Sequence, residues 1–125
     1  GTGKSMLAHY VYKYSKRMNI ISETAPFVVL NCADYSNNKE LLSATLFGYN
    51  KGAFTGAVKD TEGLFEKADN GYLFLDEVHR LSEEGQEKLF RYMDYGTISR
   101  VGGGEEKKVN VHLIFATTEL CWRLL

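Results

Sequence analysis

The strongest constraint on the fold is a set of three short, almost wholly apolar runs, at residues 27–30, 72–75 and 109–116. Runs of this length, rich in β-branched and aromatic residues, predict strands that are buried on both faces. Segments with helical spacing separate them. Helices that alternate with fully buried strands are typical of an α/β layer structure with a parallel sheet. The sequence therefore predicts that fold class.

Several segments have the spacing of helices. Apolar residues follow the first five positions at helical intervals, at Met6, Leu7, Tyr10, Val11 and Tyr14. We expect this stripe to be the buried face of an amphipathic helix that ends near residues 16–17. Further helices are predicted over residues 39–47, 63–68 and 82–95. Residues 97–101 suit a short strand, and the glycine-rich segment 102–108 is predicted to be a flexible loop.

Length and charge exclude several classes of protein. The chain has 125 residues, and its 15 basic and 16 acidic side chains give a net charge of −1. This balance argues against a dedicated nucleic-acid surface, which usually carries an excess of clustered basic residues. No apolar run approaches the ~18 residues of a membrane span. The two cysteines, Cys32 and Cys121, are expected to be reduced thiols. Because the first residue is not Met, we expect the chain to be part of a longer protein.

The first five residues resemble half of a phosphate-binding loop. Gly1-Thr2-Gly3-Lys4-Ser5 matches the end of the pattern G-x-x-x-x-G-K-[ST] directly before a predicted helix. Glycines let the backbone approach a phosphate, and the N–H groups and dipole of the helix start favour an anion. Lys4 would neutralise phosphate charge, and the Ser5 hydroxyl would coordinate Mg²⁺. The alternative is a glycine-rich helix start that binds no ligand.

Polar side chains follow each of the three predicted strands. Asp76 and Glu77 end the second strand, Asn31 ends the first, and Thr117 and Thr118 follow the third. Ligands bind at the carboxyl edge of a parallel sheet. Beside a phosphate loop, Asp76 would hold a metal ion and Glu77 would activate an attacking water. The alternative is a strand that ends in solvated acids.

One hexapeptide is unusual for a structural turn. Small residues surround one aromatic and one hydroxyl side chain in the sequence Gly52-Ala53-Phe54-Thr55-Gly56-Ala57. This composition suits a mobile loop tip that contacts another molecule. The alternative is that Phe54 is buried beneath its own loop.

Taken together, the motifs resemble the AAA+ domain of bacterial sigma-54-dependent transcriptional activators, the enhancer-binding proteins. The half phosphate loop, GAFTGA, the strand LFLDE, the segment Arg100-Val101-Gly102 and the strand ending in FATT occur in the family's order over almost the whole chain. GAFTGA is the most specific of these. Residues 76–81 and 85–87 resemble a branch whose members carry phosphotransferase-system regulatory domains.

The resemblance implies a P-loop NTPase fold, a three-layer sandwich of which residues 1–125 are one partial domain. The family's sheet order is 5-1-4-3-2, and the chain would retain strands 2, 3 and 4. ATP and Mg²⁺ are the implied cofactors. In the family's pattern Asn31 would restrain the catalytic Glu77, and Thr118 would occupy the sensor I position, where many members have Asn. The arginine fingers, sensor II and the helical lid would lie outside this chain.

The resemblance also implies partners. Residues 52–57 would bind sigma-54 and remodel its closed complex with RNA polymerase, and residues 101–108 would be a second loop that works with them. The parent would be a cytoplasmic homo-hexamer that contacts DNA through another domain and does not contact a membrane. Two alternatives remain: a different AAA+ remodeller, such as a protease-associated unfoldase, and a module that binds nucleotide or sigma factor without turnover. The unfoldases lack GAFTGA, and a turnover measurement separates the binding module.

Overall fold

The structure is a computed structural model that describes residues 2–18, 20 and 22–117, with side chains from residue 6 onward. The predicted helices separate the three predicted strands, and several short strands are added to them. In chain order they are α1 (Thr2–Arg17), β1 (Phe27–Asn31), α2 (Lys39–Phe47), β2 (Gly48–Tyr49), β3 (Thr61–Glu62), α3 (Leu64–Lys67), β4 (Gly71–Asp76), α4 (Glu83–Tyr95), β5 (Thr97–Ser99), β6 (Glu106–Lys108) and β7 (Val111–Phe115). Short 3-10 turns follow β1 at Cys32–Tyr35 and β4 at Val78–Arg80.

The central sheet is parallel and has the strand order β1-β4-β7. Strand β4 lies in the middle and is buried along its whole length, as its apolar sequence requires. In the register, Asn31 lies opposite Asp76, and Leu75 lies opposite Phe115. The three predicted strands are therefore confirmed as neighbours in one sheet, and polar groups meet where they end.

Side chains alternate between the two faces of this sheet, and each face is covered by helices. Leu73 and Leu75 of β4 belong to the main core, with Leu42 and Leu46 of α2 and Leu89 of α4. On the opposite face, Tyr72 packs with Val11 and Tyr12 of α1 and with neighbouring residues of β1 and β7. The layers are thus helix, sheet and helix, which confirms the predicted α/β class.

The prediction of which face of α1 is buried is wrong. Of the apolar stripe, Met6, Leu7, Tyr10 and Tyr14 are each at least half exposed, and only Val11 packs toward the sheet. The face against the sheet is the neighbouring one, and its residues are Ala8, Val11, Tyr12 and Ser15. Small Ala8 and Ser15 let the helix approach closely, and Ser15 Oγ lies 2.6 Å from the Tyr72 hydroxyl, so a polar residue is satisfied at a buried position.

Capping side chains set the starts of the two longer helices after β1. Asn38 Oδ1 accepts a hydrogen bond from Leu41 N at 3.0 Å, and Ser82 Oγ accepts one from Gly85 N at 3.1 Å. Each satisfies a backbone N–H that has no partner within its helix. Ser82, predicted to be the first helical residue, is therefore the cap that precedes α4.

Two antiparallel hairpins extend from the sheet core, β2 with β3 and β5 with β6. The prediction of a flexible loop over residues 102–108 is wrong for its last three residues. Glu106–Lys108 forms β6 and pairs with Thr97–Ser99. The third strand is also shorter than predicted: it begins at Val111, since Asn110 N instead donates to Asp69 Oδ1 at 2.8 Å. Within the described ranges, no helix is long and apolar enough to cross a membrane.

Candidate functional site

The carboxyl edge of the sheet brings two of the predicted site residues side by side. Asn31 and Asp76 are register partners at the ends of β1 and β4, and Asp76 is buried. Asn31 Oδ1 accepts a hydrogen bond from Ala33 N at 3.0 Å and so caps the 3-10 turn after β1. Asp76 Oδ1 accepts one from Glu77 N at 3.0 Å. An amide and two carboxyl groups thus converge here, as the pattern of strand ends predicts.

Glu77 has an unusual backbone. Its φ of 54° and ψ of 46° lie in the left-handed region, which residues other than glycine, asparagine and aspartate seldom adopt. This conformation costs on the order of 1–3 kcal/mol and is concentrated at functional sites. It turns the chain sharply out of β4 into the following 3-10 turn. As a result, the Glu77 carboxyl group lies at the edge of the sheet with its side chain 19% exposed.

His79 is a neighbour of Glu77 that the sequence analysis missed. Its Nε2 lies 3.4 Å from Glu77 Oε2, and its Nδ1 lies 2.6 Å from Thr117 Oγ1. The imidazole therefore stands between the end of β4 and the segment after β7. His79 follows the acidic pair by two residues in the sequence. No hydrophobic periodicity predicts the turn that brings its ring back to Glu77.

A buried thiol lies next to the acidic pair. Cys32 follows Asn31 directly and is fully buried. Burial, followed by the negative charges of Asp76 and Glu77, raises the pKa of the Cys32 thiol to about 12. The thiol is therefore protonated at neutral pH and is a packing residue rather than a nucleophile.

The phosphate-loop residues lie at the start of α1. Thr2, Gly3, Lys4 and Ser5 form its first turn, so the helix begins inside the motif rather than after it. Gly1 and Thr118 lie outside the described residues, and the predictions for them stay predictions. In the part of the chain with described side chains, no three His, Cys, Asp or Glu residues cluster as metal ligands. Asp76 and Ser5 are the oxygen donors that the sequence offers to Mg²⁺, an ion that is usually held by few protein groups together with substrate phosphates.

The hexapeptide forms the tip of the loop between β2 and β3. Gly52 N donates to Ala57 O at 2.8 Å, which closes the turn, and Gly52 and Gly56 have φ values of 84° and 95°. The Phe54 side chain is 43% exposed, although its ring lies 4.9 Å from that of Tyr49. Thr55 is also exposed. The structure therefore favours the predicted exposed tip over a phenylalanine buried under the loop.

This loop rests on the turn of the β5–β6 hairpin. Asn50 N donates to Val101 O at 3.1 Å, and Val101 N donates to Gly48 O at 2.9 Å. Gly102 has a φ of 77°, and a Cβ atom there would lie 2.6 Å from the Ala53 Cβ. Only glycine fits this contact without a shift of one loop. The two loops of the family's pattern are thus in direct contact at their bases.

A buried carboxylate ties the second loop to α3. The Glu66 side chain is 2% exposed and accepts hydrogen bonds from Arg100 Nε at 2.9 Å, Arg100 Nη2 at 3.0 Å and Lys107 Nζ at 3.0 Å. Burial alone would raise the pKa of Glu66, but the bonds from Arg100 and Lys107 outweigh it and lower the pKa below its ordinary value. Both strands of the hairpin region are therefore anchored at one point.

We expect the substitution Glu66→Gln to destabilise the domain by about 1–3 kcal/mol, because it leaves the two cations without their charged partner. The measurement is chemical denaturation of the purified protein. Glu106→Gln is a matched control, because Glu106 pairs with Arg91 on the surface, where ion pairs contribute little. Equal effects of the two substitutions would contradict the assigned role of Glu66.

The same cluster predicts a pH dependence. Because the pKa of Glu66 is lowered in the folded state, its stabilisation is complete above the unfolded value of about 4.3 and is lost as the pH falls through the folded pKa. The difference in stability between the wild type and Glu66→Gln should therefore shrink on acidification below about pH 4.

Comparison with known proteins assigns the family. The family model described as the sigma-54 interaction domain matches residues 1–123. The chain belongs to this family. Its relatives include transcriptional activators, so a role in sigma-54-dependent transcription is the function of its class.

Curated relatives of the sigma-54 interaction domain family match nearly the whole chain. The chain is 50% identical over 120 residues to the transcriptional regulatory protein LevR of Bacillus subtilis, covering 95% of this chain and 13% of LevR. It is 46% identical over 117 residues to the Psp operon transcriptional activator of Escherichia coli, covering 94% of this chain and 34% of the activator. The chain thus spans a small part of the relatives it matches.

Solved structures agree with the fold. The structure of NtrX from Brucella abortus in complex with ADP superposes with a TM-score of 0.76 at 33% identity, over 95% of this chain and 24% of that one. NtrX in complex with ATP gives a TM-score of 0.64 at 33% identity, over 76% of this chain and 19% of that one. The predicted AAA+ class, represented by a part of the domain, is therefore confirmed.

Proposed function

We propose that residues 1–125 are part of an AAA+ ATPase domain that uses ATP hydrolysis to remodel the closed complex of sigma-54 RNA polymerase. The observation that carries the proposal is the pair Asp76 and Glu77 at the carboxyl edge of β4, next to Asn31. Support for a nucleotide ligand comes from NtrX, which is solved with ADP and with ATP. The similarity to LevR supports membership of the branch with phosphotransferase-system regulatory domains.

The chemistry assigns a separate task to each group. Lys4 and the backbone of residues 1–5 bind the phosphates, as the glycine-rich helix start allows. Mg²⁺, when bound, would neutralise phosphate charge, and Ser5 and Asp76 would hold it. The fit rests on Asp76, a buried carboxyl group at the strand end, where hard oxygen ligands are needed. Glu77 would orient the attacking water and accept its proton. Asn31 would restrain Glu77 until the partner is engaged. Thr118, at the sensor I position, would sense the nucleotide.

The loop at residues 52–57 would bind sigma-54. Its exposed Phe54 and Thr55 supply apolar and hydrogen-bonding contacts, and its base rests on the turn that contains Gly102. A change in the second loop would therefore move the first. Because bacterial RNA polymerase acts in the cytoplasm, the proposed activity would take place there. The parent would act as a homo-hexamer, and contacts to DNA would come from a domain outside this chain.

The test uses the purified longer protein that carries this domain. We expect it to hydrolyse ATP and to open a sigma-54-dependent promoter with purified sigma-54 RNA polymerase. Lys4→Ala should lose nucleotide binding and both activities, because no cation would neutralise the phosphates. Binding of nucleotide and sigma-54 without turnover would favour a binding module instead. Promoter opening by Lys4→Ala at the wild-type rate would overturn the proposal.

A further inference from the structure

Three side chains from separate parts of the fold form a chain of contacts at the carboxyl edge of the sheet. They are Glu77 after β4, His79 in the 3-10 turn and Thr117 after β7. Glu77 Oε2 lies 3.4 Å from His79 Nε2, and His79 Nδ1 lies 2.6 Å from Thr117 Oγ1. The side chains of Glu77 and His79 are 19% and 14% exposed, so water has limited access to the contact between them.

The backbone around His79 is held on two sides. Val78 N donates to Ala116 O at 3.2 Å, which ties the turn to the segment after β7. On the other side, Gln86 Nε2 of α4 donates to Leu81 O at 2.9 Å and to His79 O at 3.4 Å. The ring is therefore attached to a turn that is fixed to both β7 and α4, which suits it to hold another side chain in place.

The partners of the His79 ring indicate which of its two nitrogens carries a proton. A carboxylate only accepts hydrogen bonds, so a hydrogen bond from His79 to Glu77 would need the proton on His79 Nε2. In the neutral imidazole Nδ1 is then an acceptor, and the Thr117 hydroxyl must donate to it. With a neutral ring, the arrangement that satisfies all three groups is Thr117 O–H to Nδ1 and Nε2–H toward Glu77. The orientation of the Glu77 carboxylate is thereby linked to Thr117, at the end of a different strand.

We propose that His79 is a positioning residue that holds the Glu77 carboxylate in its catalytic orientation and links it to Thr117 after β7. The proposal rests on the function proposed above, in which Glu77 activates water. His79 does not contact the nucleotide in this role. It acts through Glu77, and movement of the segment after β7 reaches the catalytic carboxylate through its ring.

The test compares substitutions of His79 that retain either its contact with Glu77 or its contact with Thr117. In the longer protein, we expect His79→Ala to lower kcat for ATP hydrolysis about ten- to a hundred-fold, because misplacing a catalytic group costs that order of rate. The KM for ATP should change less than about two-fold, since ATP binding is left to other residues. His79→Gln keeps an amide N–H that can reach Glu77 and should restore most of kcat. The shorter side chain in His79→Asn reaches only toward Thr117, so this variant should not restore kcat. Thr117→Val should lower kcat less than His79→Ala does.

Two further variants separate this proposal from the proposed function. Arg80→Gln, an exposed change in the same turn, should leave kcat unchanged. In a Glu77→Gln background, His79→Ala should cause no further loss, because its effect acts through Glu77. If Glu77→Gln is inactive but His79→Ala keeps the wild-type kcat, or if Asn and Gln restore it equally, the positioning role is wrong and the proposed function stands. If Glu77→Gln turns over ATP normally, the proposed function itself fails.

Discussion

Replacing Glu77 with glutamine in the longer protein is expected to lower ATP hydrolysis by about 10²–10⁴-fold while nucleotide binding is retained. Glutamine has nearly the same shape as glutamate, but its amide cannot accept the proton of the attacking water. Binding is expected to persist because the phosphates are assigned to the first turn of α1. The measurements are steady-state ATP hydrolysis and the affinity for a fluorescent nucleotide analogue.

The control for this prediction is the same substitution at an exposed glutamate. Glu87 lies on the solvent side of α4, and Glu87→Gln should leave both turnover and affinity unchanged. The left-handed backbone of Glu77 makes a second control useful. Because Glu77→Gln retains the side-chain size, its melting temperature should stay close to that of the wild type. Turnover near the normal rate with intact folding would show that another residue is the base.

Replacing Thr55 with valine is expected to abolish promoter opening while ATP hydrolysis stays within a few-fold of the wild type. The two activities should separate because Thr55 lies at the exposed tip between β2 and β3, whereas Asp76 and Glu77 lie at the carboxyl edge of the sheet. Valine keeps the volume of threonine and removes its hydroxyl, so the change tests the polar contact. The measurements are ATP turnover and open-complex formation on a sigma-54-dependent promoter.

Two matched variants sharpen the result. Thr55→Ser keeps the hydroxyl and should recover part of the promoter opening. Thr24→Val removes an exposed hydroxyl far along the chain from the loop and should change neither activity. If Thr55→Val opened the promoter at the wild-type rate, the assignment of this loop to sigma-54 would be wrong.

The contact between the loops gives these two predictions a common structural basis. Ala53 of the first loop packs on Gly102 of the second, and Arg100 next to it is bonded to Glu66. Glu66 belongs to α3, which directly precedes β4 and therefore the strand that ends in Asp76. The exposed tip at residues 52–57 and the acidic pair are thus attached to one short stretch of chain.

The three strands of the central sheet, the order of the motifs and the family could be predicted from the sequence. Buried strands such as β4 are continuous apolar runs because both of their faces meet helices, so composition reveals them without knowledge of any partner. The glycines and Lys4 of the first motif and the pair Asp76 and Glu77 are similarly recognisable, because the proposed phosphate and metal binding would require such residue types at short spacing within each motif. The exposed loop tip at Phe54 was predictable because its composition has no use in a buried turn.

The packing of distant segments determines which face of α1 is buried and which side chains surround Glu77. Two neighbouring faces of α1 carry apolar residues, and close approach to Tyr72 favours the one with the small residues Ala8 and Ser15. Thr117 is 38 residues from His79, and Arg100 is 34 residues from Glu66. Periodicity reports whether a residue faces a core, but it does not report its partner. These contacts depend on how distant segments pack, because a left-handed residue at 77 and a hairpin at 97–108 bring together groups that the sequence keeps apart.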